Sequence, residues 1–340
     1  MVKIEHSKAD LTQFATDHYT ALRQRPYEIE VKLREFARDA GTHAPTQHAV
    51  FAQLLATNLK TLITGWPDEL EQIKPSLTRA FKNVLKILPS PSTPANIKKT
   101  KADYKIALQK VFDYKKFTNT YSGYGAYAFT KKLGVNVCPY CNRQYTFTLD
   151  NKTGKTRPEL DHFLDKASHP YFGLSFFNLV PSCHICNANL KGSKKFTNTQ
   201  YLNPYTTCFN DILNFRIGVK TEDFINGKVG SFTIKQEPAI GADKKIVAKA
   251  KRNAEIFQHS ELYNNHQDLV IELLQKAYYY TPSRRKELAA LQAAGTGNLL
   301  FKDEAEVNRF ITGTYTEAVE IGKRPMSKLV RDIGKELGLL

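Results

Sequence analysis

Apolar residues recur at helical spacing through the first third of the chain. Ile29, Leu33 and Phe36 follow an i, i+4, i+7 pattern, and Gly41 is placed to end that helix. Three further stripes contain Val50, Leu54, Leu55, Leu59 and Leu62; then Leu70, Ile73, Leu77, Phe81, Val84 and Leu88, interrupted by Pro75; then Tyr104, Leu108, Val111 and Phe112. The Pro- and Ser-rich run over 89–94 predicts a turn before the last stripe. We interpret the stripes as core packing and expect residues 1–133 to form a helical region.

The pattern changes after Gly134, which is placed to end a short helix. Residues 144–149 (QYTFTL) alternate polar and β-forming side chains and predict a strand, residues 150–154 predict a turn, and residues 160–163 predict a second strand. Gly192 is placed to end a helix that starts after Pro181 and Ser182. The order β, β, α predicts a small mixed unit over residues 134–200.

The rest of the chain predicts a small β-containing segment over 201–244 and a helical region over 245–340. The β-like runs are Phe215 to Val219 and Ser231 to Ile234, separated by Asn226-Gly227, and the helical stripe contains Leu269, Leu273 and Leu274. The run Tyr278-Tyr279-Tyr280 could stack on nucleic-acid bases, but we favour packing against a neighbouring helix. The pattern as a whole predicts an α+β protein.

The charge balance changes this picture by favouring a polyanionic partner. The 340 residues include 49 Lys and Arg against 33 Asp and Glu, a formal net charge of +16, although a basic surface without a ligand is the alternative. The N-terminal segment has no apolar signal-peptide core, and no long apolar run predicts a membrane span. We therefore expect a cytoplasmic protein.

Two C-x-x-C pairs predict a structural zinc site. Cys138 and Cys141 lie in CPYC, Cys183 and Cys186 lie in CHIC, and 41 residues separate the two pairs. Four thiolates form a closed tetrahedral Zn²⁺ site with no open position for catalysis, so its role would be to hold the fold. The remaining Cys208 is interpreted as a buried or idle thiol, and this cysteine usage fits a reducing compartment.

Asp161 and His162, between the cysteine pairs, have the side chains that phosphodiester hydrolysis needs. A histidine can take a proton from an attacking water, and a carboxylate can hold a divalent cation such as Mg²⁺ against the scissile phosphate. Neighbouring residues on a regular strand point to opposite faces, so the two converge only where the backbone turns or the metal sits at the strand's edge. A solvated acid beside a core histidine is the structural alternative.

Asn178, Asn187 and three lysines extend the candidate site. Asn187 lies at the start of the predicted helix, Lys191 follows on the same face, and Lys194 and Lys195 continue the basic stretch. An amide ligand and a lysine at a helix N-terminus suit a phosphate. Capping by the asparagines and a solvated lysine face are the alternatives.

The three stretches CPYCNRQYTF, LDHFLDK and FFNLVPSCHICNANLKGSKK, over residues 134–196, together resemble the HNH, or ββα-metal, nuclease family. Asn187 stands where many members have a histidine, which is a known family variant, and Asp165 stands where a proline often follows. The resemblance implies a zinc-stabilised ββα-metal core flanked by helical regions.

The resemblance also implies roles for individual residues. His162 would be the general base, Asp161 and Asn187 would hold one catalytic Mg²⁺ or Mn²⁺, and Asn178 would orient the histidine or brace its loop. Lys191, with Lys194 and Lys195, would contact the nucleic acid, and the four cysteines would hold the zinc. His184 and His169 are left without a role.

These expectations give a metal-dependent endonuclease acting on DNA, with RNA not excluded. Two further segments, Glu261 to Leu273 and Lys323 to Ile333, show a weaker resemblance to larger bacterial HNH proteins. Some of those proteins act beside an ATPase in anti-phage defence of Septu type. We therefore expect a regulatory partner, such as an ATPase, docking on the helical flanks. The alternatives are a zinc-stabilised nucleic-acid-binding adaptor without cleavage activity and an RNA-cleaving toxin with the same site.

Overall fold

The N-terminal region is helical, as predicted. The computed structural model describes residues 1–39, 44–87, 94–218, 221–294 and 297–340. The helices are α1 (Lys8–Arg23), α2 (Ile29–Asp39), α3 (Pro45–Thr57), α4 (Leu59–Thr64), α5 (Pro67–Ile87), α6 (Pro94–Val111), α7 (Tyr114–Asn119) and α8 (Ala126–Leu133). The predicted cap Gly41, Leu88, most of the predicted turn over 89–94 and Val219 lie outside the described residues.

The second predicted stripe differs from the structure in two ways. The side-chain amide of Asn58 donates to the Leu54 oxygen at 2.8 Å, and the stripe divides there into α3 and α4. Val50 is 53% exposed and does not belong to the buried face. The third stripe lies on α5, which continues through Pro75 rather than ending at it.

The prediction of a strand over 144–149 is wrong for most of that segment. Tyr145 forms an isolated bridge with Val137, and strand structure begins at Leu149. The reason is that this segment closes a tight turn around the first cysteine pair. The Cys138 amide donates to the Gln144 oxygen at 2.9 Å, and the Thr146 amide donates to the Asn136 oxygen at 2.9 Å.

The strand that carries Asp161 and His162 has a different partner from the one predicted. β1 (Leu149–Asp150) and β2 (Lys155–Thr156) form a small antiparallel ribbon, while β3 (Glu159–His162) pairs with β4 (Leu179–Ser182). In the second pair His162 lies opposite Leu179. A short π-helix, Ile185–Lys191, follows β4, and Gly192 ends it with a left-handed φ of +49°. The order β, β, helix is therefore present, built from β3, β4 and the π-helix.

The C-terminal part combines one more sheet with helices. β5 (Leu213–Ile217) pairs antiparallel with β6 (Ile234–Pro238), so the β-run predicted over 231–234 begins only at its last residue. The helices are α9 (Glu222–Ile225), α10 (Lys244–Ile256), α11 (His259–Asn264), α12 (Gln267–Tyr279), α13 (Pro282–Ala289), α14 (Glu304–Thr312) and α15 (Ser327–Glu336). Short 3₁₀ turns cover Pro170–Phe172, Phe176–Asn178 and Ile321–Lys323.

Two hydrophobic cores organise the described chain. The larger joins the N-terminal helices to the cysteine-rich segment and α10, and the smaller packs β5 and β6 against α12, α14 and α15. Helices with small sheets agree with the predicted α+β class. Among the described residues, none of the helices has the length and apolar character needed to cross a bilayer.

Candidate active site

The four cysteines predicted to bind zinc lie close together. The Sγ atoms of Cys138, Cys141, Cys183 and Cys186 all lie within 4.8 Å of one another, and those of Cys141 and Cys183 are 4.0 Å apart. A tetrahedral zinc with Zn–S bonds of about 2.3 Å needs sulfurs about 3.8 Å apart. Three of the cysteines are buried and Cys183 is half-buried. The cluster could hold a zinc ion, and it joins the turn after α8 to the start of the π-helix.

A spacer residue of the first cysteine pair reaches the candidate catalytic carboxylate. Tyr140 is fully buried, and its hydroxyl donates to Asp161 Oδ2 at 2.6 Å. Its ring stacks on Phe257 with centroids 4.4 Å apart, and its backbone oxygen is 2.9 Å from His259 Nε2. The cysteine cluster therefore fixes the position of Asp161 through one side chain, a link that spacing alone does not reveal.

Asp161 is also held by Lys191. The Lys191 ammonium donates to Asp161 Oδ1 at 2.8 Å and to the His162 backbone oxygen at 2.8 Å, and both charged side chains are 3% exposed. The sequence predicts that Lys191 contacts a phosphate. In the free protein its ammonium is instead occupied by β3, so a phosphate contact would require Lys191 to leave Asp161.

His162 lies at the end of β3 with one ring nitrogen engaged. Nε2 is 3.0 Å from the Gly173 oxygen, which can only accept, so Nε2 carries the proton and Nδ1 is the basic nitrogen. The ring packs edge-on against Tyr114 with centroids 4.4 Å apart. Burial, and next the ammonium of Lys166, lower the pKa of His162 to about 3. The imidazole is therefore neutral near pH 7.

Asn178 braces the loop that follows His162. Its Oδ1 accepts from the Leu164 amide at 2.6 Å, and its Nδ2 donates to the oxygens of Leu164 and Phe172 at 3.1 and 3.0 Å. Its own backbone oxygen accepts from Phe163 at 2.9 Å. The side chain is buried and faces the loop rather than the His162 ring, so it acts on the histidine through the backbone.

Asn187, on the π-helix, is oriented by Glu159. Its Nδ2 donates to Glu159 Oε2 at 2.8 Å, while the other carboxylate oxygen lies 2.7 Å from His184 Nδ1. Among the described residues, Asn187 Oδ1 has no hydrogen-bond partner, so it is the atom available to a ligand. Glu159 was missed in the sequence, although it stands two positions before Asp161 on β3 and so shares its face of the strand.

The catalytic candidates other than Asn178 line one open cleft of about 750 Å³. Asp161, His162, Asn187 and Lys191 all contribute to its surface, whereas the cysteines do not. The cleft also contains residues that the sequence did not single out: Tyr114, Thr118, Asn119, Tyr121, Tyr127, Lys155, Arg157, Glu159 and Lys166. Several come from α7, α8 and the loop between them, so the helical N-terminal region builds part of the site.

Of the remaining residues, Asp165 lines the same cleft, whereas Lys194, Lys195 and His169 lie outside it. Lys194 and Lys195 are exposed and do not line the cleft. Asp165 accepts from the amides of Ala167 and Ser168, both at 3.0 Å, and stabilises the loop after β3. His169 Nδ1 is 2.9 Å from the Tyr171 hydroxyl, and burial lowers the pKa of His169 to about 4, which fits a structural histidine.

Comparison of the chain with protein-family models, with curated proteins and with solved structures finds no match. The geometry of the cleft is therefore the observation that bears on function.

Proposed function

We propose that this protein is a metal-dependent endonuclease of HNH type that hydrolyses phosphodiester bonds in DNA. The observation that carries the proposal is the convergence of Asp161, His162 and Asn187 on one cleft. They come from β3 and the π-helix, which are joined through β4 and supported by the cysteine cluster. A module that only binds nucleic acid would need neither an oriented basic nitrogen nor oxygen donors for a cation beside it.

His162 serves as the general base. The Gly173 oxygen holds the Nε2 proton, so Nδ1 accepts the proton of the attacking water as that water adds to the phosphorus and the bond from phosphorus to the leaving oxygen breaks. The leaving oxygen takes a proton from solvent water. A pKa of about 3 makes the free histidine a weak base. The negative charge of a bound phosphate raises the pKa of a neighbouring histidine, which moves His162 toward the value that base catalysis requires.

Asp161 and Asn187 fit a hard divalent cation. One offers carboxylate oxygens and the other a free amide oxygen, and Mg²⁺ and Mn²⁺ prefer such ligands, with waters and phosphate oxygens completing the shell. The cation, when bound, supplies Lewis-acid stabilisation of charge on the phosphate and the leaving oxygen. The Lys191 ammonium and the Tyr140 hydroxyl already engage one oxygen each of the Asp161 carboxylate, so the cation shares Asp161 with them or displaces Lys191.

The cysteine cluster holds structural Zn²⁺. Four sulfur ligands leave no open coordination position, so the zinc takes no part in the reaction. Its contribution is to fix the Tyr140 hydroxyl against Asp161 and the first turn of the π-helix beside β3.

Plasmid cleavage by the wild type and by His162→Ala tests the proposal, with Mg²⁺, with Mn²⁺ and with the divalent cation chelated. Cutting should need the cation and should fall about 10²- to 10⁴-fold in the variant, since that is the usual contribution of a general base. His6→Ala is the matched control, because His6 also holds a backbone oxygen, that of Leu133, with its Nε2 but lies outside the cleft. Undiminished cutting by His162→Ala would remove the assigned base.

The same assay separates the alternatives. Tight nucleic-acid binding without turnover under any metal condition would favour the adaptor, and turnover of RNA but not DNA would favour the toxin. Regulation by a partner protein on the helical flanks is part of the proposal, since an uncontrolled DNA nuclease would damage its own cell. Full activity of the isolated chain on cellular DNA at physiological salt would contradict such regulation.

A further inference from the structure

Aromatic rings stand on the part of the cleft built by α8 and the loop before it. Tyr121 is 58% exposed and Tyr127 is half-buried, with ring centroids 5.7 Å apart and planes inclined by 43°. Both line the same cleft as His162 and Asp161. Neither ring belongs to either hydrophobic core, so packing of a core does not explain this tyrosine pair.

Cationic groups alternate with these rings. The Lys155 ammonium lies 5.7 Å from the centroids of both Tyr121 and Tyr127 and also pairs with Asp150 Oδ1 at 2.6 Å. The Arg157 guanidinium lies 5.5 Å from the Tyr127 centroid. The Lys166 ammonium lies 4.0 Å from the Tyr114 centroid, and Lys166 has no salt-bridge partner among the described residues. Arg157 Nε is buried without a hydrogen-bond partner in the described part of the chain.

Alternating rings and cations bind single strands. Rings stack on base faces and cations follow the phosphates, and neither interaction depends on sequence. In a duplex the base faces are covered by neighbouring base pairs, so the rings would find a partner only where bases are unpaired. Asn119 also lines the cleft, and its exposed amide can hydrogen-bond a base edge that pairing no longer occupies.

We infer that the substrate segment held in this cleft is an unpaired nucleic-acid strand, with bases on Tyr121 and Tyr127 and phosphates along Lys155, Arg157 and Lys166. The inference rests on the proposed function, because it places the scissile phosphate of that strand beside His162. Single-stranded DNA and unpaired RNA share the recognised chemistry.

Binding measured without cleavage tests the inference. In the His162→Ala background, fluorescence anisotropy would compare a labelled 12-nucleotide DNA strand, the same sequence as RNA, and the DNA duplex. Losing one stacking ring should weaken binding of the preferred single strand roughly 5- to 150-fold, so Tyr121→Ala and Tyr127→Leu together should weaken it roughly 25- to 20,000-fold and leave duplex binding unchanged. Tyr127→Leu removes the ring but keeps an apolar side chain where the residue is half-buried, and circular dichroism would verify the fold.

Tyr279→Ala is the matched control. Tyr279 is 59% exposed and lies 4.4 Å from the Arg284 guanidinium, so it repeats the ring and cation arrangement of Tyr127 away from the cleft. Its substitution should leave all three affinities unchanged. Equal affinity of the parent protein for strand and duplex, or unchanged strand binding by the double variant, would overturn the inference.

Failure of the inference and failure of the proposed function give different results. Duplex cleavage that depends on His162, combined with unchanged strand binding in the tyrosine variant, would overturn the inference alone. Strand-selective binding through Tyr121 and Tyr127 with no turnover of any substrate would support the inferred strand site and contradict the nuclease.

Discussion

Lys191 and Asp161 form an ion pair that is almost fully removed from water, with Nζ 2.8 Å from Oδ1 and each side chain 3% exposed. The pair lies at the centre of the candidate site, because the same ammonium holds the backbone oxygen of His162. Removing one member of a buried pair leaves an uncompensated charge, which costs far more than the loss of a surface ion pair.

We therefore expect Lys191→Met to lower the free energy of unfolding by about 3–5 kcal/mol in urea titrations without divalent cations. Lys194→Met is the control, since Lys194 is exposed on the same stretch and should change stability by less than about 0.5 kcal/mol. Adding Asp161→Asn to Lys191→Met should recover much of the loss, because the isolated charge is gone. Equal stability of the two lysine variants would show that the pair does not hold this site together.

Zinc content gives a second prediction. The purified protein should contain about one zinc per chain, the number that one four-thiolate cluster can hold. Cys186→Ser should lose most of that zinc and unfold at a lower temperature, because zinc binding to such sites contributes directly to folding. Cys208→Ser should keep the zinc content and the unfolding temperature of the wild type, since Cys208 lies outside the cluster. Elemental analysis with thermal melts measures this, and full zinc content in Cys186→Ser would contradict the assigned ligands.

Asn142, the residue after the first cysteine pair, gives a third prediction because it fastens the C-terminal segment. It adopts a left-handed φ of +51°, and its backbone oxygen accepts from Met326 at 2.7 Å. Its side chain accepts from the Lys328 amide at 3.0 Å and donates to the Ile321 oxygen at 3.1 Å. Asn142→Gly keeps the backbone conformation and removes both side-chain bonds, so it isolates their contribution.

We expect Asn142→Gly to destabilise the protein by about 2–4 kcal/mol, because it leaves buried backbone groups without partners. Hydrogen exchange should accelerate over residues 321–336 more than over α1. Exchange that rises uniformly along the chain would mean that Asn142 supports global stability rather than this attachment.

The sequence predicted the N-terminal helices and the cysteine cluster because both depend on local spacing. The stripe of Tyr104, Leu108, Val111 and Phe112 is buried as its 3.6-residue period requires. The strand over 144–149 failed because the backbone hydrogen bonds of that segment close the turn around Cys138 instead of joining a strand. Alternation of side chains does not reveal where backbone groups find their partners.

The ion pair of Lys191 and the tyrosines of the cleft could not be predicted for a different reason. The sequence predicts a phosphate contact for Lys191, with a solvated face as the alternative, and only the tertiary structure encloses its side chain against β3. Tyr121 and Tyr127 lie more than 30 positions before His162, so no local pattern connects them with the site. The three tyrosines of the run 278–280 also differ in environment. Tyr280 packs on the smaller hydrophobic core, whereas Tyr278 and Tyr279 are exposed.

The last prediction concerns pH and His18, which lies in the core far along the chain from the cysteines. Its Nε2 is 2.8 Å from the Leu174 oxygen and its Nδ1 is 2.6 Å from the Tyr124 hydroxyl, so the ring is satisfied in its neutral form. Burial lowers the pKa of His18 from 6.5 to about 4. Between these values the unfolded chain binds a proton that the folded chain does not.

The contribution of neutral His18 to the free energy of unfolding is therefore fully present above pH 6.5. It falls by about 3 kcal/mol as the pH falls toward 4. His18→Gln offers the same donor and acceptor without titrating. Urea unfolding at pH 7, 5.5 and 4 should show the wild type losing about 3 kcal/mol more than this variant. The other buried histidines titrate equally in both proteins, so their effect cancels from the difference in stability. Equal losses of stability in the wild type and the variant would mean that His18 is not the group whose protonation opposes folding.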